Sequence, residues 1–543
     1  MSDIKKLGKT PIKTHVLLKL LNDYPKVTDK NILANGFTFG FYVGYEGPRL
    51  PTNCNNSVSA YTHDKQLEEK LIKELNLGRI AGPFSFRPFR NLRVSPISLI
   101  AKKSGGYRLI HNLSYPLGNS VNSHIDQESS TVQYTSFDKV LETISEAGPH
   151  SLMARMDVSS AFRLLILNPE DFELFGFKFR DQFFFDKCLP MGCSASCQLF
   201  EKFATFIEWL VRKRTESKNI EHYLDDFFFV GSAYSSECEK LMANFRVTCE
   251  EIGIPVAEEK TLGPATVIVF LGLEIDTTLM VVRIPFEKLN EVKEKLIVTF
   301  RSKKVTLQML QSLVGLLNFC ARAIPSVRAF NRRFCDAMCG IKKQNHFIRV
   351  SAGMKDDISM WLKFLDQFNG TCKFGKNLWL TNEQLNLYTD SSGNSNLGCG
   401  VYLRGHWSYF PWPTEWRHSV VMQDLTFLEL VPIVSALFLF KDKLMNKQIV
   451  FHTDNQALVC ILNKKSSKSK RVMHLVRPLV LQTMLCNMQW RSSHIEGRSN
   501  CIADAISRKQ WERFHRLDPM ADVYPMPVPQ EFHKLISELK LRD

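Results

Sequence analysis

The segment Tyr223-Leu224-Asp225-Asp226-Phe227-Phe228-Phe229-Val230-Gly231 sets the hardest condition on how this chain can fold. A run this apolar and aromatic is built for burial, yet two adjacent carboxylates open it. Buried acids are expensive unless something cationic compensates them. An Asp-Asp dipeptide alone is as readily a solvated β-turn, so the pair needs support from elsewhere in the chain. About seventy residues upstream, Met153-Ala-Arg-Met-Asp157-Val-Ser-Ser-Ala-Phe162 ends a strand-like run in a further acid. A strand ending in Asp157, beside a hairpin carrying Asp225, would gather carboxylates around divalent cations. Oxygen-only ligation suits magnesium, and two such ions can clamp the attacking and leaving oxygens of a phosphoryl transfer. The chemistry implied is nucleotide addition.

The 543 residues carry a formal net charge of +15 and are 44% hydrophobic. That excludes a disordered tail protein and a single small domain; about three to five compact units are expected at this length. The positive excess favours a polyanionic partner, because Lys and Arg displace counterions condensed on phosphates. The 14 Cys form no Cys-x-x-Cys pair, and reduced thiols are expected. The longest greasy stretch, Leu428 to Phe440, contains Glu429 and Pro432, so no membrane span is expected.

Pattern changes divide the chain. Residues 1–60 form an N-terminal extension of little periodicity. From Asp64 a helix-like run (Leu67, Leu71, Leu75) leads into alternating strands and helices up to about residue 280, an α+β pattern. Residues 281–383 turn helical, with Leu289, Val292 and Leu296 and then Leu307, Leu310, Leu313, Val314 and Leu317 as apolar stripes. A second strand-containing unit spans 384–510, with β-rich segments at 398–403, 448–453 and 487–494. Residues 511–543 form a tail, with four Pro between Pro519 and Pro529 before a short helix.

Several ordered motifs resemble the fingers and palm of reverse transcriptases. Asp157 and Asp225 match the two metal-binding acids, and Asp226 completes Tyr-x-Asp-Asp. Leu189-Pro190-Met191-Gly192 resembles the family's Leu-Pro-Gln-Gly, with Met191 in place of the usual Gln and Gly192 allowing close backbone approach. Ser95 to Ile110 resembles the fingers hairpin, in which Lys103 and Arg108 would grip the triphosphate; a solvated basic hairpin is the plainer alternative. Phe162 sits where the family has a steric gate against the ribose 2′-hydroxyl, although a Phe after an apolar strand is more often core. Lys260 matches a Lys that protonates the pyrophosphate leaving group, with an ordinary surface Lys as the alternative. Phe270-Leu271-Gly272 resembles the primer grip. The implied metal set is Asp157, Val158, Asp225 and Asp226.

Four later acids invite a separate site: Asp390 and Asp454 end strand candidates, Glu429 lies on a helix, and Asp504 on another. A strand, helix, strand, helix arrangement can converge them on two magnesium ions to cut a phosphodiester with activated water. This resembles a ribonuclease H domain, with His494 as its mobile histidine and Asp390, Glu429, Asp454 and Asp504 as metal ligands. Between these motifs, Lys464, Lys465, Lys468, Lys470 and Arg471 make a basic run, usually just a solvated face, that the resemblance turns into a track for hybrid phosphates.

The order of the motifs is the strong signal. The fold class implied is α+β multidomain: a right-hand polymerase of fingers, palm and helical thumb, then an α/β ribonuclease H-like domain with a mixed sheet. Arg108 to Pro116 and Cys188 to Cys197 look most similar to DIRS-type, tyrosine-recombinase retrotransposons. The resemblance implies Mg2+, two ions per site with Mn2+ as a substitute. It implies as partners an RNA template, a DNA primer, RNA-DNA hybrid and deoxynucleoside triphosphates, with recombinase and capsid-like proteins of the same element encoded elsewhere. An intracellular location is implied, cytoplasmic or nuclear, in a ribonucleoprotein particle. A catalytically decayed nucleic-acid scaffold, a standalone nuclease and an RNA-dependent RNA polymerase are the other readings open at this point.

Overall fold

Phe227, Phe228 and Phe229 are all fully buried. Successive side chains of a strand point to opposite faces, so both faces of the strand Asp226–Gly231 must be covered. In the computed structural model, which describes residues 4–539 apart from 103–104, 127–130, 133 and 376–378, this strand is central in a four-stranded antiparallel sheet. The order is Leu262–Ala265, Leu152–Asp157, Asp226–Gly231, Ile220–Tyr223. Helices Phe137–Ala147 and Glu237–Ile252 pack against it. The first of these starts where the Ser136 side chain accepts a hydrogen bond from the Lys139 amide, satisfying one of the unpaired donors of the first turn.

The chain divides into two compact units, Met1–Ile268 and Val269–Asp543, rather than three to five. One reason lies in the first sixty residues. Helices Thr14–Leu21 and Val27–Phe39 bury Leu17, Leu21, Leu33 and Phe37 in the same core as the palm-like sheet. Tyr24 meets the rings of Phe206 and Trp209 edge-on at 5.3 and 5.1 Å. The stretch that reads as an extension is core. The unit also holds a five-stranded sheet, a hairpin of Ile97–Ala101 with Tyr107–His111, and the helices Asp64–Asn76 and Ser194–Thr215. Leu67 and Leu71 of the first of these helices, one turn apart on its apolar stripe, pack with Ile97, Leu99 and Phe177.

In the second unit the apolar stripes form helices Phe286–Arg301 and Leu307–Cys320, burying Val292, Leu296, Leu310, Leu313 and Leu317, with Leu289 half-buried. Helix Ala352–Gln367 is fastened to helix Lys470–Leu485 by fully buried Asp357, which accepts from Arg333 at 2.7 Å and from Arg477 at 2.9 Å. The strands of the C-terminal part form two three-stranded sheets. One is antiparallel, Leu387–Ser391, Gly398–Leu403 and His406–Pro411; the other is parallel, Trp379–Leu380, Gln448–Thr453 and Gln489–His494. After the helix Trp511–Leu517, the proline-rich tail follows the strand His406–Pro411, where Met526 N donates to Trp407 O at 2.7 Å, and then forms helix Gln530–Ser537. Among the described residues no helix is long and apolar enough to cross a membrane.

Candidate functional site

The acids that open the chain's most constrained segment meet as the register dictates. Asp226 pairs with Tyr223 across a two-residue loop, and Leu224 takes the left-handed conformation there, φ 55°. Such hairpin loops favour Gly or Asn at positive φ, so a Leu in that region is strained by about 1–3 kcal/mol. On the other side Asp226 is in register with Asp157. Val158 N donates to Asp225 O at 2.9 Å, which pins the turn to the end of the neighbouring strand. Asp157 is 6% exposed, and Lys260 Nζ donates to its Oδ1 at 2.8 Å. Burial alone would lower the Lys260 ammonium, but its hydrogen bond to Asp157 raises it. Burial and the charge of Asp157 raise the Asp225 carboxyl. Burial also raises Asp226, against the pull of Arg155.

A cavity of about 680 Å³ opens on this cluster, lined by Asp157, Val158, Asp225, Lys260, Phe162 and Arg108. Met191 lines it too. Phe162 is half-buried and packs edge-on against Phe200 at 5.9 Å. Gly192 has φ 118°, and a Cβ there would collide with the carbonyl oxygen of His111. The close approach expected of this glycine is therefore to the chain's own hairpin. His111 N donates to Met191 O at 3.0 Å. Asn122 braces the loop further, donating to Gly192 O at 2.8 Å and accepting from Ser194 N at 3.0 Å. Beneath it His111 Nδ1 lies 2.8 Å from Asp186 Oδ2, and Asp186 also pairs with the half-buried Arg163. Neither Asn122 nor this network was legible beforehand; single polar residues in loops carry no periodicity. Lys103 lies outside the described residues.

The later acids are gathered by close packing. A Cβ on Gly400 would meet Ile506 Cβ at 2.7 Å and Ala503 O at 2.8 Å, so only glycine lets helix Cys501–Ser507 lie against the strand Gly398–Leu403. Asp390 is in register with Gly400 and accepts from Ser507 Oγ at 2.6 Å, with Asn500 Nδ2 at 3.4 Å. Glu429 accepts from Ser391 Oγ at 2.7 Å. Burial, with Asp504 and Asp454 nearby, raises the Asp390 carboxyl to about 7; burial, with Asp390 and Asp454, raises Glu429 to about 8. Asp504 differs: burial would raise it, but Arg508 at 2.5 Å and Arg513 at 2.6 Å hold it low. His494 is exposed, its Nε2 3.2 Å from Asp454 O. Ser391, Asn500, Ser507, Arg508 and Arg513 are additions to the expected set.

Among the described residues no three His, Cys, Asp or Glu side chains stand together as a ready metal-holding group. At each cluster one acid is paired with protein cations: Lys260 on Asp157, and Arg508 with Arg513 on Asp504. The donor chemistry still fits a hard divalent cation, since buried carboxylates that raise one another's proton affinity lack positive charge. The basic run needs one correction. Lys464, Lys468 and Lys470 are exposed and Lys465 caps the ring of Trp490 at 4.2 Å. Arg471 is instead 7% exposed and pairs with Asp424 at 3.3 Å. Asp424 caps helix Leu425–Leu444, so Arg471 belongs to the packing of that helix and not to an open basic face.

Residues 100–275 match the family model for reverse transcriptase (RNA-dependent DNA polymerase), and that stretch is a reverse transcriptase domain. Among solved structures, the chain is similar to the foamy viral protease-reverse transcriptase dRH in complex with double-stranded DNA. Identity is 15%, over 88% of this chain and 81% of that one, with a TM-score of 0.49. It is also similar to the foamy viral protease-reverse transcriptase in complex with an RNA/DNA hybrid, at 15% identity over 90% of this chain and 64% of that one, TM-score 0.46.

Proposed function

We propose that the chain is an RNA- and DNA-templated DNA polymerase with a fused ribonuclease H, encoded by a DIRS-type retroelement. The observation that carries this reading is the single cavity in which Asp157, Asp225, Lys260, Arg108 and Phe162 converge from separate parts of the first unit. The gathering of Asp390, Glu429, Asp454 and Asp504 in the second unit supports the nuclease.

Arg108 holds the incoming triphosphate through its fork of donors. Phe162 leaves no room for a ribose 2′-hydroxyl, so deoxynucleotides are preferred. The loop at Met191 and Gly192, braced by His111 and Asn122, presents a fixed backbone surface to the base pair being formed. The primer 3′-oxygen attacks the α-phosphorus, and Lys260, kept protonated by Asp157, gives its proton to the departing pyrophosphate. Asp157, Val158, Asp225 and Asp226 would hold magnesium here, and Asp390, Glu429, Asp454 and Asp504 in the nuclease, supplying charge that activates the attacking oxygen and stabilises the transferring phosphoryl group. In the nuclease His494 assists water delivery or product departure, while Lys464, Lys465, Lys468 and Lys470 follow the phosphates of the hybrid. Template, primer and hybrid are the partners, and the protein works inside the cell in a ribonucleoprotein particle with the element's recombinase and capsid-like proteins. Magnesium-dependent extension of a DNA primer on an RNA template, followed by cleavage of the RNA, tests the reading; loss of neither activity on replacing Asp157 by Ala and Asp390 by Asn would refute it.

A further inference from the structure

One wall of the polymerase cavity comes from an element that no motif pointed to, the helix Asp64–Asn76. Lys70 and Lys73 lie three residues apart, which on a helix puts two side chains on one face, and both line the cavity with Lys102 and Arg108 of the hairpin. The carboxylate on the same face, Glu74, is already taken. It stands 3.3 Å from Arg163 Nε and 3.7 Å from Arg79 Nη1. Among the described residues none of Lys70, Lys73, Lys102 and Arg108 has an ion-pair partner. Their crowding is felt: burial and the charges of Lys70, Arg108, Lys260 and Lys73 push the Lys102 ammonium below its ordinary value.

Four cations with no ion-pair partner among the described residues, around about 680 Å³ and with the Asp225 carboxylate felt by Arg108 at one side, suit an anion of several charges. One phosphate would occupy the fork of Arg108 and leave the helix lysines facing each other. A chain of phosphates spans the hairpin and the helix together. We propose that Lys70 and Lys73 bind the polyphosphate tail of the incoming deoxynucleoside triphosphate and hold pyrophosphate after bond formation. This rests on the polymerase reading above. Phosphodiesters of a template strand offer the same chemistry, and the experiment separates the two sources.

The full chain, the Lys70→Gln/Lys73→Gln double variant and the Lys70→Arg/Lys73→Arg double variant are compared in three measurements in magnesium buffer: KM for deoxynucleotide, calorimetric affinity for inorganic tripolyphosphate, and Kd for a primer-template duplex. Both lysines lie at the helix surface, and equal melting temperatures establish that the variants fold. The Gln variant is expected to raise KM and weaken tripolyphosphate binding by about tenfold each, with duplex Kd unchanged and the Arg variant near the parent. Unchanged tripolyphosphate affinity overturns the proposal, as does a duplex Kd weakened in place of KM, which assigns the lysines to the template strand. If the parent incorporates no deoxynucleotide, the polymerase reading fails, while the tripolyphosphate titration still decides whether these lysines bind polyphosphate.

Discussion

Asp157 and Asp226 stand opposite each other on neighbouring antiparallel strands, their Cα atoms in register. Like charges directly across a sheet destabilise it, so the pair persists only through compensation. Lys260 reaches Asp157 at 2.8 Å, and Arg155 Nε lies 4.0 Å from Asp226. The fold therefore concentrates negative charge where the proposed reaction on phosphate would need a cation, and the protein's own cations share the load.

Removing Lys260 tests that balance. Lys260→Met leaves Asp157 buried without its ion-pair partner. The lysine is half exposed, so solvent screening limits the expected loss of stability to about 1 kcal/mol. If Lys260 is the proposed proton donor to pyrophosphate, its loss lowers kcat by about a hundredfold with KM for nucleotide changed far less. Steady-state extension kinetics and denaturant melts check both; unaltered kcat would reduce Lys260 to a structural counter-ion.

Gly192→Ala is predicted to be disabling although it adds one methyl group. The positive φ is strained for any L side chain, and the new Cβ would strike the His111 carbonyl. A destabilisation of about 1–3 kcal/mol is expected, together with a drop in extension as the loop is pushed out of place. Thermal melts and primer extension on the same preparation measure it.

Phe162→Val removes a ring that lines the cavity. Incorporation of ribonucleotides relative to deoxynucleotides should rise by about tenfold or more, because the proposed gate excludes the 2′-hydroxyl by ring bulk. Competition assays with matched nucleotide pairs give the ratio, and unchanged discrimination would return Phe162 to the core.

His222 gives the fold a pH dependence apart from catalysis. It is buried between Glu201, 3.1 Å from its Nε2, and Glu208 at its Nδ1. Burial alone would lower its proton affinity, but the two glutamates raise it to about 9. A histidine raised in the folded state contributes fully below its unfolded value of about 6.5 and loses that contribution as pH rises through about 9. The stabilisation at stake is about 3 kcal/mol. Urea melts between pH 6 and 10 should show this decline in the parent and a flatter profile in His222→Gln; parallel profiles would remove the assignment.

Much of this was legible in sequence, for identifiable reasons. Strands Gly398–Leu403 and Gln448–Thr453 fall on the segments read as β-rich, because short apolar runs there end at polar turns. The helix Leu307–Cys320 buries the stripe Leu307, Leu310, Leu313, Val314 and Leu317. The helix Val27–Phe39 carries no such signal, because its buried positions are only Leu33, Gly36 and Phe37, too few to make a stripe among Thr, Asp, Lys and Asn. At the sites, the acids announced themselves by their apolar surroundings. Their partners Asn122, Ser507 and Arg513 did not, since a polar residue that acts through a single contact looks like any surface residue. Arg471 reads as part of the basic run because it follows the exposed Lys468 and Lys470, while its own side chain is buried with Val472 and Met473 and turns to Asp424.

Under the proposed function the two acid clusters do two separate chemistries. One purified preparation each of the parent, Asp225→Asn and Asp390→Asn is assayed with magnesium for DNA primer extension on an RNA template and for cleavage of RNA in a preformed hybrid. The account predicts that Asp225→Asn loses extension by about a thousandfold or more and keeps cleavage, while Asp390→Asn does the reverse. A parent without extension, or a folded variant that loses both activities together, would contradict it.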